Sequence, residues 1–181
     1  MHMKNITFFI ICLFSIGVSA QKTVEEVQSK MLNGTRHMII SLPPSYEKEP
    51  DRKFPLLFLL DGEYLFDAFS GSLSYANYWD DLPQVIVVGI VQNSNGERFL
   101  DSKFNPETGV PEESGAKFYD FIALELIPAL EKKYRIAPFK VIAGHDTTAG
   151  FLNFFLYKDK PVFNAYISLS PELAPEMETR I

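Results

Sequence analysis

The chain has 181 residues, of which 46% are hydrophobic and 22% charged, and its net charge is -6. That length and balance fit one folded domain with a real core. With no cluster of Lys and Arg to neutralise phosphates, a nucleic-acid partner is not expected.

The first twenty residues form a separate object. Lys4 gives a positive start, "ITFFIICLFSIGV" is an apolar run short for a bilayer span, and "VSA" offers small residues before Gln21. This is the pattern of a secretory signal peptide cut after Ala20, which implies a secreted or periplasmic location and no stable membrane anchor. The only cysteine, Cys12, lies inside that segment, so the mature chain has no thiolate and no disulfide. The expected organisation is a signal over 1–20, a lead-in over 21–34 and one domain over 35–181.

Along the domain, "TRHMIISLPPSY" predicts a strand from Arg36 to Leu42, ended by Pro43 and Pro44. "FPLLFLLDG" is an unbroken apolar run closing on Asp61-Gly62, the pattern of a strand covered on both faces. The aromatic-rich stretch that follows predicts a short helix near Tyr75 to Asp81. "QVIVVGIVQN" predicts a second buried strand, and "NSNGERFLDSKFNPETGVPEESG" a long polar loop of the kind that carries function. In "AKFYDFIALELIPALEKKY", Phe118, Phe121, Ile122, Leu126, Leu130 and Tyr134 fall on one helical stripe. Ser114 or Gly115 would cap this helix, and Pro128 would kink it. "FKVIAGH" predicts a third buried strand, "TTAGFLNFFLYKD" a second helix and "NAYISLSPEL" a fourth buried strand. Strands alternating with helices predict an α/β fold, with a mostly parallel sheet and helices on both faces. Ligands of such sheets gather at the carboxyl ends of the strands.

"SLPPSY", "FPLLFLLDGEYLF", "VIVVGI", "ELIPALEKKYRIAPFKVIAGH" and "FNAYISLSPEL", in that order, resemble the esterase family of α/β-hydrolases. That family includes feruloyl-esterase-like, siderophore-esterase-like and S-formylglutathione-hydrolase-like enzymes. The resemblance runs from Thr35 to Leu173. It implies an α/β-hydrolase-type sheet, C-terminally incomplete in this chain, and a small-molecule carboxylic ester as substrate. It also implies a nucleophile elbow written Gly-His-Ser-x-Gly-Gly. In such an elbow a strand turns abruptly into a helix, and the amide after the nucleophile faces the oxyanion.

In "VIAGHDTTAG", Gly144 and His145 match that elbow, Asp146 replaces the serine, Thr147 holds the variable position, and Thr148 stands where glycine is expected. The resemblance places the oxyanion donors at the Thr147 amide and at the backbone of Gly62 or Glu63. Carboxylate attack on a carboxylic ester would form an anhydride, which lies uphill of the ester, so Asp146 is a poor stand-in for serine. The preferred reading of Asp146 is a cap for the following helix, worth roughly 1 kcal/mol. A serine-type mechanism also needs a late general base, and the histidines are only His2, His37 and His145. The resemblance therefore leaves a truncated chain or a degraded relative, with truncation preferred. It implies an esterase-family protein inactive as this chain, or else a binding relative using the same cleft.

Arg98 and Asp101 in "RFLD" form either a surface ion pair or a loop-ordering pair beside the cleft. Tyr64, Phe66 and Trp79 could line an aromatic pocket, although aromatics at this density are commonly core. No His/Cys/carboxylate cluster has metal spacing, and Gly144 lacks the partners of a phosphate loop, so neither metal nor cofactor is expected. Oligomeric state is not legible.

Overall fold

The computed structural model describes residues 22–92 and 96–180. The expected signal peptide, with Cys12 and Ala20, lies outside the described residues, as does part of the long polar loop.

Six strands form one mixed sheet in the order β1-β2-β4-β3-β5-β6. β1 (Lys22–Ser29) and β2 (Gly34–Ser41) make an antiparallel hairpin, and β2 pairs antiparallel with β4 (Ile86–Val91). β3 (Phe54–Leu59), β4, β5 (Ile136–His145) and β6 (Ala165–Leu169) run parallel. The sheet is thus α/β-hydrolase-like, with its parallel part as expected and an antiparallel hairpin added at one edge. The hairpin begins inside the segment expected as a lead-in. β1 escapes prediction because "KTVEEVQS" is largely solvated and shows no apolar face.

β3 is buried because it serves two cores at once. Successive side chains of a strand point to opposite faces. Leu56 and Phe58 accordingly enter one cluster with Val88, Ile90 and Ile142. Leu57 and Leu59 enter the other with Val87 and Ala143. The second cluster is closed by α1 (Gly62–Tyr78), which brings Leu65 and Phe66 onto the sheet. This helix is far longer than the expected Tyr75–Asp81. Its apolar stripe runs from Leu65 and Phe66 through Phe69 to Leu73, while Tyr75 and Tyr78 near its end are exposed.

The larger cluster is closed by α3 (Glu113–Asp120), α4 (Ile127–Lys133) and α5 (Thr147–Leu152). Phe118, Phe121, Ile122, Leu126 and Leu130 are all buried there, and Tyr134 packs against them. Glu112, not Ser114 or Gly115, occupies the capping position of α3. Between α3 and α4 the chain takes a π-helical turn, Phe121–Leu126, and the Ile127 N–H reaches back to the Ile122 carbonyl. That wider turn sits just ahead of Pro128, whose ring would clash with the preceding turn of a regular α-helix. Glu125 in this turn accepts the Ser29 hydroxyl (2.6 Å) and the Lys30 and Met31 amides (3.2 and 3.3 Å), tying the helix to the β1–β2 turn.

The long polar loop is not structureless. It contains α2 (Glu97–Asp101) and an isolated bridge between Phe104 and Pro111. β6 is half-buried rather than buried, because it lies at the edge of the described sheet.

Candidate functional site

The carboxyl ends of β3, β4 and β5 meet at one corner. α1 leaves β3 through Asp61-Gly62, and Gly62 crosses Gly89 of β4 so closely that a Cβ at 62 would lie 2.6 Å from the Ile90 carbonyl oxygen. Only glycine allows the helix to start this near the sheet. Beside it, β5 passes into α5 through Asp146, with φ 60° and ψ -120°. A non-glycine residue there is strained by about 1–3 kcal/mol and must be held by its surroundings.

The holding bonds are backbone bonds. The Asp146 N–H donates to the Leu169 carbonyl at the end of β6 (3.0 Å). Its carbonyl accepts from Gly150 (3.0 Å) and Glu172 (3.1 Å). The Asp146 carboxylate is exposed and has no hydrogen-bond partner among the described residues. The expected helix cap is therefore absent: at this φ and ψ the side chain is thrown outward, away from the first-turn amides. Thr147 opens α5, and its hydroxyl donates to Glu172 Oε2 (3.2 Å).

Thr148 does not loosen the corner. Its hydroxyl is buried and donates to Asp61 Oδ2, while the His145 N–H donates to both Thr148 Oγ1 and Asp61 Oδ2, each at 2.9 Å. Gly144 makes the room, because a Cβ there would lie 2.8 Å from Thr148 Oγ1. The threonine thus substitutes a hydrogen bond for the close approach a glycine would give.

Asp61 is fully buried and also receives the Arg98 Nε–H at 2.7 Å. Arg98 reaches the His145 carbonyl through Nη2 (2.8 Å) and lies 3.4 Å from the Tyr64 hydroxyl. Burial opposes the Arg98 charge, yet the hydrogen bond and charge of Asp61 outweigh it, so the guanidinium's pKa is raised. Burial, with the Asp61 charge, pushes the Tyr64 phenol up as well. The Tyr64 oxygen is 3.2 Å from His145 Nδ1, and the two rings meet edge to face.

The expected Arg98–Asp101 pair does not form. α2 turns its two ends to different parts of the fold, Arg98 to the start of α1 and the end of β5, and Asp101 to β2. Asp101, also buried, takes a two-point contact from Arg36 of β2 (2.9 and 3.2 Å) and one from Gln92 Nε2 (3.0 Å). Glu63 accepts the Gln92 N–H, so its carboxylate closes the β4 end rather than facing the elbow. The expected aromatic pocket does not assemble either. Tyr64 joins His145, Phe66 is core, and Trp79 follows the far end of α1, about 20 Å along the helix. His37 lies on β2 beside Glu26 (3.7 Å), at the opposite edge from β5.

The structure therefore brings together Gly62, Glu63, Arg98, Gly144, His145, Asp146, Thr147 and Thr148, and sends Asp101 elsewhere. Asp61 is the residue that joins them; its place at the carboxyl end of β3 suggests a role in the cleft, but the sequence does not show which groups it binds. Its signal was an acidic side chain directly terminating a run of buried apolar residues. Chemically, the corner offers an exposed carboxylate on a strained turn beside the positive ends of two helices. Among the described residues, no three His, Cys, Asp or Glu side chains gather as a metal would require. No helix among them is long and apolar enough to cross a membrane.

A family model described as "Putative esterase" matches residues 29–177. Among solved structures, the chain is similar to an uncharacterised protein from Capnocytophaga ochracea, with 28% identity and a TM-score of 0.76, over 83% of this chain and 41% of that one. It is similar to an IroE-like serine hydrolase from Shewanella oneidensis, with 27% identity and a TM-score of 0.71, over 83% of this chain and 51% of that one. A siderophore hydrolase, EstA from Aspergillus nidulans, shares the fold at 20% identity and a TM-score of 0.68, over 91% of this chain and 63% of that one. The chain thus spans about half or less of the first two structures. No curated protein matches it.

Proposed function

The chain belongs to the esterase family, and from that premise we propose that it binds a small-molecule carboxylic ester at the Asp146 corner without turning it over by acyl transfer. The observation that carries this reading is the Asp146 backbone itself. The turn keeps φ 60° and ψ -120° although its side chain is a carboxylate rather than a hydroxyl. Strain of this kind persists where a site needs it.

A serine at this corner would form an acyl ester that water can cleave. The carboxylate would instead have to form an anhydride from the ester, against the free-energy gradient. His145 Nδ1 lies 3.2 Å from the Tyr64 hydroxyl, and this reading gives His145 a packing role beneath the elbow. The oxyanion-facing amide is assigned to Thr147, with the backbone of Gly62 or Glu63 at the start of α1 as the second donor. Both belong to first helical turns, whose N–H groups lack partners within the helix. The names of similar structures, a siderophore hydrolase and a ferulic acid esterase among them, support siderophore-type or hydroxycinnamoyl-type esters as ligands. The charge and apolar pattern of residues 1–20 supports export, with cleavage after Ala20.

The test compares the parent, Asp146→Ser and Asp146→Asn on a p-nitrophenyl ester. The parent is expected to bind the ester, detected by saturation-transfer NMR, and to release nitrophenol no faster than buffer. Release by the parent that disappears in Asp146→Asn would overturn the reading and make the carboxylate a nucleophile.

A further inference from the structure

At the opposite end of the sheet, α1 finishes over the start of β4 and the end of β2. A cavity of about 300 Å³ opens there between the helix, Ser41 to Pro44, and Gln84 to Val87. That is the lower end of the range for small-molecule sites. Its floor is apolar, from Leu73, Val85 and Val87, and none of its lining side chains carries a formal charge.

Its polar groups are under-used. The Ser70 hydroxyl oxygen is buried and has no hydrogen-bond partner among the described residues. Two residues on, Ser72 bonds the Ala68 carbonyl at 2.9 Å, which Ser70 does not do with its own turn. The Ser70 hydroxyl lies behind the cavity wall, closed to solvent, and a buried hydroxyl left unpaired is costly. Gln84 Oε1 accepts from the amide and hydroxyl of Ser45 (3.0 and 2.8 Å). That fixes its side chain and leaves its Nε2 as a donor for the cavity.

The rim is aromatic. Tyr78 lines the mouth and packs edge to face against Trp79, with ring centroids 5.1 Å apart. Both are exposed, at 78% and 59%. Exposed aromatic surface at the mouth of a cavity marks a binding surface, and each ring offers a flat apolar face with a polar tip.

We propose that this cavity is a second ligand site and that it takes a neutral sugar ring. A pyranose matches the site on each count. Its C–H face suits Tyr78 and the apolar floor. Its hydroxyls can accept from Gln84 Nε2 and pair with the hydroxyls of Ser41 and Ser74. Its size suits the volume. An ionised ligand would lose hydration there with no opposite charge to offset the loss. No bond is made or broken at this site, and the assignment does not depend on the chemistry at Asp146.

Saturation-transfer NMR and calorimetry on the full chain, with glucose, galactose and xylose as neutral probes and glucuronate as the charged one, test the assignment. At least one neutral sugar is expected to bind, with glucuronate at least about tenfold weaker. Tyr78→Ala, an exposed change that leaves the core intact, should weaken binding at least about fivefold. Ser70→Leu, which fills the cavity, should abolish it. Absence of binding by every neutral sugar at about 50 mM would overturn the proposal. So would binding unchanged in Tyr78→Ala, or glucuronate binding as tightly as the neutral sugars. Should Ser70→Leu fail to fold by circular dichroism, Tyr78→Ala decides alone.

Discussion

Arg98 Nε and Asp61 Oδ1 meet at 2.7 Å although the residues stand 37 apart in the chain, and they do so directly beneath the elbow. The pair links three segments. Asp61 holds the His145 amide and the Thr148 hydroxyl, and Arg98 holds the His145 carbonyl. Removing one member of a buried pair strands the other's charge. Arg98→Ala is therefore expected to destabilise the fold by about 3 kcal/mol, measured by urea unfolding. The His145 amide should also lose hydrogen-exchange protection. An unchanged midpoint would mean that the pair contributes nothing to the corner.

Asp146→Gly should act in the opposite direction. Glycine adopts a positive φ without steric cost, and the aspartate carboxylate has no bond to lose among the described residues. A gain of about 1 kcal/mol in unfolding free energy is expected. A side chain that capped α5 would give a loss instead, so the sign of the change is diagnostic.

Glu25 sets part of the acid limb of stability. Burial would raise its pKa, but the hydrogen bonds from Lys133 and Tyr134 outweigh that and lower it. A carboxylate depressed in the folded state contributes stability that is present above its unfolded pKa and is lost as pH falls through the folded one. Glu25→Gln should therefore be less stable than the parent near neutrality, with the difference shrinking as pH falls below about 4.3 and through the lowered folded pKa. Chemical denaturation at several pH values measures the crossover.

The alkaline limb belongs to half-buried phenols. Burial pushes Tyr166 up to about 12, and burial with the Glu25 contact pushes Tyr134 higher still. The unfolded phenols ionise near pH 10, so the folded state loses ground as pH rises through and beyond that value. Absorbance near 295 nm should show these phenols titrating together with loss of the far-ultraviolet helix signal. Phenols that ionise well below the unfolding pH would contradict this account.

Glu125 should matter to the hairpin alone. Glu125→Ala removes the acceptor for the Ser29 hydroxyl and two turn amides. The expected cost is about 1–2 kcal/mol, with faster exchange at Lys30 and Met31 and none at Leu57 or Val88.

Much of the scaffold could be read from the chain because burial leaves a pattern. β3, β4 and β5 are apolar runs of strand length, and the stripe from Phe118 to Leu130 is helical in its spacing. β1 was hidden because an edge strand with both faces largely in water needs no apolar alternation. α1 was under-read because Gly71 and its neighbouring serines dilute the helical signal after Phe66. The corner at Asp146 was legible as a strand turning into a helix. The pairings beneath it were not. "RFLD" suggests a local Arg98–Asp101 bond, and only the tertiary fold reveals that Asp101 has a better partner on β2 and Arg98 one at the start of α1.

Among the described residues, the bonds that hold the elbow go to the backbone of residues 145 and 146 and to Thr148, and none goes to the Asp146 side chain. Position 146 is accordingly an interchangeable fitting. Its mounting is supplied by neighbours, so hydroxyl, thiol or amide tips can be exchanged there without rebuilding what lies below. The protein is in that sense a ready host for grafted reactivity.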